Sequence, residues 1–419
     1  MSAECLGCGA PLAAPFLDLG MMPLANSYLR PEQVDEVEER FALAVAYCPG
    51  CHLVQLTRRL APARLFTEYA YFSSYSESFV AHARRLAESL IARFGLGSHS
   101  RVLEIASNDG CLLKNFVERG VPVLGVEPAQ NVAEEAERRG IPTLKRFFGA
   151  QAVEEILDSF GRADVVIGNN VLGHVPEIND FLRAVRQCLK PSGAAVFEFP
   201  YIRDLVERVE FDTIYHEHVF YFSLAAVKRL AERAGLELFD VIPQPVHGGS
   251  LRVFMGMPGA WRLEPSVAAT LAAEEQAGFT AAARYAAFER AARKVRDDLV
   301  ALLRALKAKG ARVAAYGAPA KGNTLLNYCG IGRELIEFTV DRSPHKQGTL
   351  LPGSRIPVRE PSALLAERPD YALILAWNWA EEIIAQQHEY LERGGTFIIP
   401  VPEPRLVGGD GPGRAALTR

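Results

Sequence analysis

Residues 102–110 read Val-Leu-Glu-Ile-Ala-Ser-Asn-Asp-Gly, and this stretch decides the fold. Its beginning is an apolar run typical of a buried strand, and its end is a turn of small and polar residues. In open parallel sheets, ligands bind at the carboxyl ends of the strands. The turn is not G-x-G-x-x-G, so it does not match the dinucleotide fingerprint. We predict a ligand-binding turn, to which the following residues contribute: Glu104, Ser107, Asn108, Asp109 and Gly110.

Strands and helices alternate on the carboxyl side of this turn. Residues 122–126, 164–168 and 194–199 are short apolar runs that predict strands, and helical patterns lie between them. This alternation predicts a parallel sheet that is covered on both faces. A helix precedes the first strand, with apolar residues at helical spacing: Phe79, Leu86, Leu90 and Phe94.

Polar residues also end the second and third predicted strands. Glu127 and Pro128 follow the second strand, where an acidic side chain is placed to bind the two hydroxyls of an adenosine ribose. Asn169 and Asn170 end the third strand. We expect all four residues to lie at the same sheet edge as the turn.

A second α/β region follows a helical connector. Residues 264–309 show helical periodicity, which predicts a connector packed on a core. We expect the tail after Pro404 to fray, because glycine and proline punctuate it. Four further runs predict the strands of a second sheet: 313–316, 338–340, 372–375 and 396–399.

Four of the seven cysteines form two C-x-x-C pairs near the start of the chain. Cys5 and Cys8 make the first pair, and Cys48 and Cys51 make the second. Two such knuckles can complete a tetrahedral shell of four thiolates, which suits a structural Zn²⁺ ion. The alternatives are a redox dithiol or two unrelated pairs, and His52 is a nearby substitute ligand. The other cysteines are expected to be buried apolar residues: Cys111, Cys188 and Cys329.

Composition excludes several classes of protein. The chain has 419 residues, 49% hydrophobic and 23% charged, which indicates several globular domains and excludes wholesale disorder. We expect no membrane span and no secretory signal, because no apolar run reaches ~18 residues and the start lacks a basic, then apolar, segment. Few cysteines, in an odd number, fit a cytoplasmic protein. A net charge of −4 gives no support for nucleic-acid binding.

The ordered set of motifs is similar to the class I S-adenosylmethionine-dependent methyltransferases. The set comprises Glu-x-x-Ser-Asn-Asp-Gly from residue 104, Gly-x-Glu-Pro from residue 125 and Asn-Asn-Val-x-x-His-Val from residue 169. The resemblance implies that S-adenosylmethionine is the cofactor. Ala106 is a departure, since the family often has glycine there, although alanine should still permit close approach.

Residues 215–223 read Tyr-His-Glu-His-Val-Phe-Tyr-Phe-Ser and are rich in side chains that catalyse proton transfer. A single histidine is most often a half-buried hydrogen-bonding residue, but two histidines that flank a glutamate are harder to explain by packing. A second metal site is an alternative, although His-Glu-His is not the His-Glu-x-x-His motif.

This stretch resembles the nucleotide-sugar C-methyltransferases, which act on 4-keto deoxysugars in antibiotic sugar pathways. The resemblance covers nearly the whole chain and implies an α/β protein. We predict a zinc-binding domain over residues 1–72 and a class I methyltransferase domain, Rossmann-like, over residues 73–242. Residues 243–419 would hold the helical bridge and a second Rossmann-like domain, which binds the nucleotide sugar.

The resemblance also implies roles for single residues. His218 would be the general base that removes the C-3 proton of the sugar, and Tyr215 and Glu217 would orient the sugar or the imidazole. His174 and Tyr69 would lie near the keto group and the methyl-transfer site. Ser73 would contact the cofactor. The predicted substrate-binding residues are His216, Tyr221, His247, Arg252, Lys321 and Asn323.

Three alternatives stay open at this point. The chain could be a zinc-guided methyltransferase of RNA or protein, but it lacks the basic excess of an RNA enzyme. It could methylate another sugar carbon. It could also be a non-catalytic zinc-bearing binding protein, although the 215–218 cluster argues against this. We expect a small-molecule substrate, no nucleic acid, no membrane and a monomer.

Overall fold

A computed structural model describes residues 4–65, 73–75, 77–246 and 248–408. Two predicted site residues, Tyr69 and His247, lie outside these ranges. The strands of the described part form three sheets of four, seven and six strands.

The head of the chain is a small antiparallel sheet. Its short helix α1 spans Pro62–Leu65, and Pro31–Gln33 forms a 3₁₀ turn. The predicted strand over Phe41–Tyr47 is present, with nearly every side chain buried. The strands of the head are β1 (Leu17–Met22), β2 (Phe41–Tyr47) and β3 (Val54–Leu56).

The central sheet is built by the predicted alternation of strands and helices. The helices are α2 (Glu77–Phe94), α3 (Lys114–Val117), α4 (Gln130–Arg138), α5 (Ala150–Ser159), α6 (Ile178–Cys188), α7 (Ile202–Glu207) and α8 (Leu224–Arg233). The strands are β4 (Val102–Ile105), β5 (Val123–Val126), β6 (Thr143–Leu144), β7 (Ala163–Asn169), β8 (Leu189–Pro200), β9 (Phe220–Tyr221), β10 (Glu237–Gln244) and β11 (Ser250–Gly256).

Seven of these strands form one sheet in the order β10-β11-β8-β7-β4-β5-β6. All neighbours from β8 to β6 are parallel, and β11 is antiparallel to both of its neighbours. The order reverses at β4, which places the turn after β4 at the switch point where ligands bind in such sheets. The fully buried strand β4 therefore positions the turn that follows it.

The short strand β9 leaves the central sheet and joins the head. It pairs with β3, which completes the four-stranded order β1-β2-β3-β9. The strand that follows the Tyr215–His218 segment is thus part of the sheet that carries the cysteine knuckles.

The third sheet follows two long helices. The helices of this region are α9 (Pro265–Gln276), α10 (Ala282–Ala308), α11 (Ala320–Cys329), α12 (Ala363–Glu367), α13 (Ala380–Gln386) and α14 (His388–Glu392). The strands are β12 (Val313–Tyr316), β13 (Thr339–Val340), β14 (Val358–Arg359), β15 (Tyr371–Ile374), β16 (Thr396–Ile399) and β17 (Arg405–Gly408). Their order is β14-β13-β12-β15-β16-β17, parallel except at β17.

At this level one sequence-based expectation is wrong, and one predicted domain boundary stays a prediction. The boundary after residue 242 divides the β10–β11 hairpin, both strands of which belong to the central sheet. The tail does not fray directly after Pro404, because Arg405–Gly408 pairs with β16. Both segments gain their order from pairing with strands that are distant in sequence or across a turn, which a local pattern does not register.

One apolar core extends from the head through the central sheet into the helices of the third region. Over the residues that the structure describes, we find no helix with the length and apolar character that a membrane crossing requires.

Candidate active site and metal centre

The turn after β4 has an unusual backbone that brings its amides and side chains together. Ala106, Asn108 and Gly110 have φ values of 55°, 49° and 75°, in the left-handed region. At Gly110 a Cβ atom would lie 2.8 Å from Ile141, so both the conformation and the space favour glycine. Alanine at 106 tolerates this backbone at some cost in strain.

The Glu127 carboxylate holds this turn in place. Its Oε2 accepts the backbone N–H of Asn108 and its Oε1 accepts the backbone N–H of Ala129, both at 2.9 Å. Burial raises the pKa of Glu127, and these two hydrogen bonds oppose the rise. Pro128 is half-buried beside it. Glu127 is therefore at the predicted place, and each oxygen retains capacity for a ribose hydroxyl.

Buried acceptor atoms without hydrogen-bond partners surround the same turn. Burial, followed by the nearby Glu127 and Asp109 carboxylates, raises the pKa of Glu104 well above its ordinary value. Unpartnered oxygens concentrated at one sheet edge fit a ligand that brings donors and positive charge. The atoms are Glu104 Oε2, Ser107 Oγ, Asp109 Oδ1, Asn169 Oδ1 and Asn170 Oδ1.

The segment that precedes α2 covers the turn. The backbone N–H of Ser73 donates to Asn108 Oδ1 at 2.9 Å, and that of Ser74 donates to Asp109 Oδ2 at 3.2 Å. The Arg139 guanidinium also binds Asp109 Oδ2, at 3.1 Å. Ser73, a predicted cofactor contact, is therefore buried directly on the turn.

The Tyr215–His218 segment forms a tight turn that brings its first and last side chains together. The backbone N–H of His218 donates to the Tyr215 carbonyl, and the Tyr215 hydroxyl lies 2.7 Å from His218 Nε2. His218 Nδ1 lies 2.9 Å from the carbonyl oxygen of Thr213, which can only accept a hydrogen bond. The proton of the neutral ring therefore sits on Nδ1, and Nε2 is the basic nitrogen.

His174 packs against His218 from the loop that follows β7. The two ring centroids are 4.9 Å apart and the rings meet edge to face. Burial lowers the pKa of His174 to about 4, and a hydrogen bond to the backbone of Glu217 acts in the opposite direction. His174 is therefore neutral at pH 7, and a neutral imidazole can polarise or position a substrate group.

The two middle residues of the turn point away from His218. His216 is buried against Phe41 of the head, with ring centroids 5.9 Å apart and both ring nitrogens unpartnered. Glu217 is buried and accepts a hydrogen bond from Asn26 Nδ2 at 2.6 Å. Burial raises the pKa of Glu217 to about 7. Tyr221 lies 6.5 Å from His218 between ring centroids, and its buried hydroxyl has no partner.

Two predicted substrate-binding residues are occupied elsewhere. Arg252 lies in β11, buried, and both its Nε and Nη2 donate to Glu198 Oε2. Asn323 is buried at the junction with the head, where its Nδ2 donates to the carbonyl of Ala25. Each side chain therefore compensates a buried partner that would otherwise be unsatisfied, and its contact with the substrate stays a prediction.

Lys321 lies where the loop after β12 enters α11, as predicted, but it faces acidic groups. Its Nζ donates to Asn378 Oδ1 at 2.9 Å and lies 4.4 Å from the Trp377 ring centroid. Burial lowers the pKa of Lys321, whereas Asp212 and Glu210 raise it. Carboxylates of the central region therefore already offset part of the lysine charge, and its contact with the substrate stays a prediction.

Several site residues carry no motif that a single sequence reveals. Asn26 and Lys346 lie in loops without a recognisable pattern, and Lys346 Nζ donates to the carbonyl of Ala318 beside the loop after β12. Burial raises the pKa of Asp212 to about 6. Only the fold brings these residues to the site, since their partners are more than 25 residues away in sequence.

The four predicted zinc ligands converge. The Sγ atoms of Cys5, Cys8, Cys48 and Cys51 all lie within 4.8 Å of one another, and no disulfide joins them. Four thiolates at this spacing fit a tetrahedral Zn²⁺ ion with no open position, which is the pattern of a structural site. Within the described ranges this is the one cluster of metal-binding side chains.

Three protein-family models match the chain in succession. "Putative zinc binding domain" matches residues 5–66, "Methyltransferase domain" matches residues 79–241 and "C-methyltransferase C-terminal domain" matches residues 245–402. Together with the cysteine cluster, these matches confirm the predicted cofactors, S-adenosylmethionine and structural zinc.

Individual proteins are also similar to the chain. It is 40% identical to the C-methyltransferase NovU of Streptomyces niveus over 405 residues, which is 96% of each chain. It is 33% identical to a ubiquinone biosynthesis O-methyltransferase of Rhodopseudomonas palustris (strain HaA2), over 27% of this chain and 43% of the relative. The solved structure of magnesium protoporphyrin IX methyltransferase (ChlM) from Synechocystis PCC 6803 with bound SAM covers 43% of this chain and 82% of its own, with 14% identity and a TM-score of 0.33. Because the likeness to NovU spans nearly the whole chain, this chain belongs to the C-methyltransferase family.

Proposed function

We propose that this C-methyltransferase transfers a methyl group to C-3 of a nucleotide-linked 4-keto deoxysugar, with dTDP as the nucleotide, in deoxysugar or antibiotic sugar biosynthesis. The observation that carries the proposal is the pairing of Tyr215 with His218 beside His174. This arrangement holds one basic nitrogen and one neutral imidazole together near the junction of the head and the central sheet.

The turn after β4 is the proposed cofactor site. S-adenosylmethionine supplies an electrophilic methyl group on a positively charged sulfur when bound. Its ribose hydroxyls and ammonium group are donors, and the unpartnered oxygens of Glu104, Ser107 and Asp109 are acceptors. Glu127 would accept the ribose hydroxyls, and Asn169 and Asn170 would line the methionine end.

Methylation of carbon requires a carbanion equivalent, which the ketone makes accessible. His218 Nε2 takes the C-3 proton, and the electron pair of the C–H bond moves into an enolate whose oxygen is the former ketone oxygen. The enolate carbon would then be the nucleophile for the electrophilic methyl group that bound S-adenosylmethionine supplies, with the sulfur as the leaving group. Tyr215 would orient the imidazole through the contact of its hydroxyl with Nε2, and neutral His174 would donate to the enolate oxygen.

The third sheet is the proposed site of the nucleotide part. The loop after β12 joins a strand to α11, which has ten residues, so free backbone N–H groups can meet a diphosphate. Lys346 and Lys321 flank this loop. Carboxylates lie near both lysines, since Asp212 and Glu210 face Lys321 and Asp341 lies 3.9 Å from Lys346, so we assign the larger attraction to the backbone N–H groups.

The alternatives predict different ligands. An RNA- or protein-directed enzyme would bind S-adenosylmethionine but not dTDP, and a non-catalytic zinc protein would bind neither. We further propose that the protein acts in the cytoplasm as a monomer, without nucleic acid or membrane. Methylation at another sugar carbon would keep both ligands and change only the product.

Thermal unfolding with each ligand separates these functions. A ligand at 100 times its Kd stabilises the folded protein by about 2.7 kcal/mol. We expect S-adenosylmethionine and dTDP each to raise the unfolding midpoint, and uridine diphosphate serves as the matched control for nucleotide selectivity. A midpoint that neither S-adenosylmethionine nor dTDP moves contradicts the proposal.

A further inference from the structure

One loop of the head lies against the other two regions. The Asn323 amide donates to the carbonyl of Ala25 at 2.6 Å, and the Tyr28 hydroxyl donates to the carbonyl of Ala318. Leu29 forms a backbone bridge with Leu350. Residues 25–29 are therefore fixed on the third region at three points.

Between these anchors, Asn26 reaches the proposed active site. Its Nδ2 donates to Glu217 Oε1 at 2.6 Å, although the two residues are 191 positions apart in sequence. Asn26 is exposed overall, whereas Glu217 is only 6% exposed. The Asn26 amide thus connects an exposed loop of the head to a buried carboxylate.

The buried Glu217 carboxylate depends strongly on this amide. A buried carboxylate is costly unless hydrogen bonds or charges compensate it. Burial is the larger influence on the pKa of Glu217 and raises it, and the hydrogen bond from Asn26 is the influence that lowers it.

The titratable and charged groups around Glu217 come from every element packed on it. His174 forms a hydrogen bond with the backbone of Glu217, and His218 is the next residue in the chain. Burial raises the pKa of the Tyr28 phenol, and the charge of Glu217 adds to this rise. Lys346 and Asp341 stand behind Tyr28. Among the residues that the structure describes, Asn26 is the side chain that donates directly to the Glu217 carboxylate.

We propose that Asn26 of the head is a positioning residue of the active site, because its amide donates a hydrogen bond to the buried Glu217 carboxylate and fixes its orientation. The expected effect of Asn26 on turnover rests on the proposed function. Its expected effect on the Glu217 carboxylate does not. The head then has a function beyond holding zinc, since the active site is incomplete without its loop.

The direct test follows the ionisation of Glu217 itself. Infrared pH-difference spectra of the wild type minus Glu217→Gln isolate this carboxyl group. We expect the titration midpoint of the Glu217 carboxyl group to lie near pH 7 in the wild type. In Asn26→Ala and in Asn26→Asp we expect a higher midpoint. Ser27→Ala, on the same exposed loop, is the control that leaves the midpoint unchanged. An unchanged midpoint in both Asn26 variants overturns the proposal, whether or not the enzyme methylates a sugar.

Turnover supplies a second readout. In Asn26→Ala we expect the acidic limb of kcat/KM to move to higher pH by the same amount as the infrared midpoint, with unchanged zinc content and cofactor affinity. In the Glu217→Gln background, Asn26→Ala should have no further effect beyond twofold, since the two residues act as one unit. A uniform loss at every pH, or an equal loss in both backgrounds, would assign Asn26 a merely structural role.

Discussion

His218 has its single proton on Nδ1 because the Thr213 carbonyl accepts it, so Nε2 faces the Tyr215 hydroxyl as an acceptor. This fixed tautomer is what a general base needs, and the ordinary pKa of histidine, ~6.5, suits proton transfer near pH 7. The tight turn at residues 215–218 makes this contact possible, because it brings the side chains of its first and fourth residues together.

We predict that His218→Asn lowers kcat by about 10²- to 10⁴-fold, because general-base catalysis contributes on this order. The measurement is exchange of the C-3 proton of the 4-keto sugar with deuterated solvent, followed by NMR. Undiminished exchange in the variant refutes the base assignment. Retained binding of S-adenosylmethionine shows that the variant is folded.

Buried Glu217 predicts a dependence of stability on pH. The pKa of this group rises from its ordinary 4.5 to about 7 in the folded protein. Between these values the folded state binds a proton that the unfolded state has lost, so the free energy of unfolding falls as pH rises through that window. Glu217→Gln should therefore be more stable than the wild type at pH 8, by about 3 kcal/mol, and equal to it below pH 4.5.

Thermal unfolding at pH 4 and pH 8 checks this difference. The exposed variant Glu154→Gln is the control, and it should show the same pH dependence as the wild type. Equal stability of Glu217→Gln and wild type at pH 8 would mean that the carboxylate is better compensated than the structure indicates.

Sequence motifs identified candidate site residues within single chain segments, but they did not identify the hydrogen-bond partners of these residues in distant segments. The sequence placed Glu104, Glu127 and His218 at a sheet edge because each follows a recognisable strand or cluster. Asn26 and the carboxylate that pairs with Arg252 were missed, since the first has no motif and the second lies in a buried strand. Partners across the fold depend on tertiary packing, which local periodicity does not contain.

At the scale of elements, the turn after β4 depends on the neighbouring strand. A Cβ atom at Gly125 in β5 would lie 2.4 Å from Ser107 Oγ and 3.0 Å from Ser107 Cβ. We predict that Gly125→Ala displaces the turn and lowers the affinity for S-adenosylmethionine about tenfold or more, because such overpacking costs about 1–3 kcal/mol. Calorimetric titration measures the affinity.

Gly97→Ala is the matched control for this substitution, because its new Cβ would meet no atom within 4 Å. It should bind the cofactor as the wild type does. If Gly125→Ala also keeps full affinity, the turn after β4 is not the cofactor site.

The zinc knuckles and the catalytic turn share one sheet. The Leu56 N–H donates to the Val219 carbonyl, and the Val219 N–H donates to the Gly173 carbonyl. Gln55 joins the first knuckle to β3, since its Oε1 accepts the Leu6 N–H at 2.8 Å. Val219 therefore connects the loop of His174, the turn of His218 and the head.

We predict that removal of zinc frees the amides of residues 219–222 to exchange with solvent and abolishes turnover, while cofactor binding declines far less. Hydrogen exchange measured by mass spectrometry with and without a chelator checks this. Cys8→Ser should reproduce the effect, and Cys329→Ala, outside the cluster, should not. Full protection of these amides in the metal-free protein would separate the head from the catalytic turn.

Across the whole molecule, sequence patterns predicted the two α/β regions, the zinc head and their order. The alternation of strands and helices indicates this order directly, because each strand or helix is recognised from its own short stretch of sequence. Two long-range pairings were not predictable: β9 joins the head, and the β10–β11 hairpin joins the central sheet. Both pairings cross the expected domain boundaries.

The most direct test of the central claim is carbon NMR of the product formed from a dTDP-linked 4-keto deoxysugar and S-adenosylmethionine with a ¹³C-labelled methyl group. We predict one new carbon–carbon bond, with the labelled methyl group on C-3. A label on oxygen or nitrogen, a label on another ring carbon, or no transfer to any nucleotide 4-keto sugar in a panel of dTDP, GDP and CDP derivatives would contradict it.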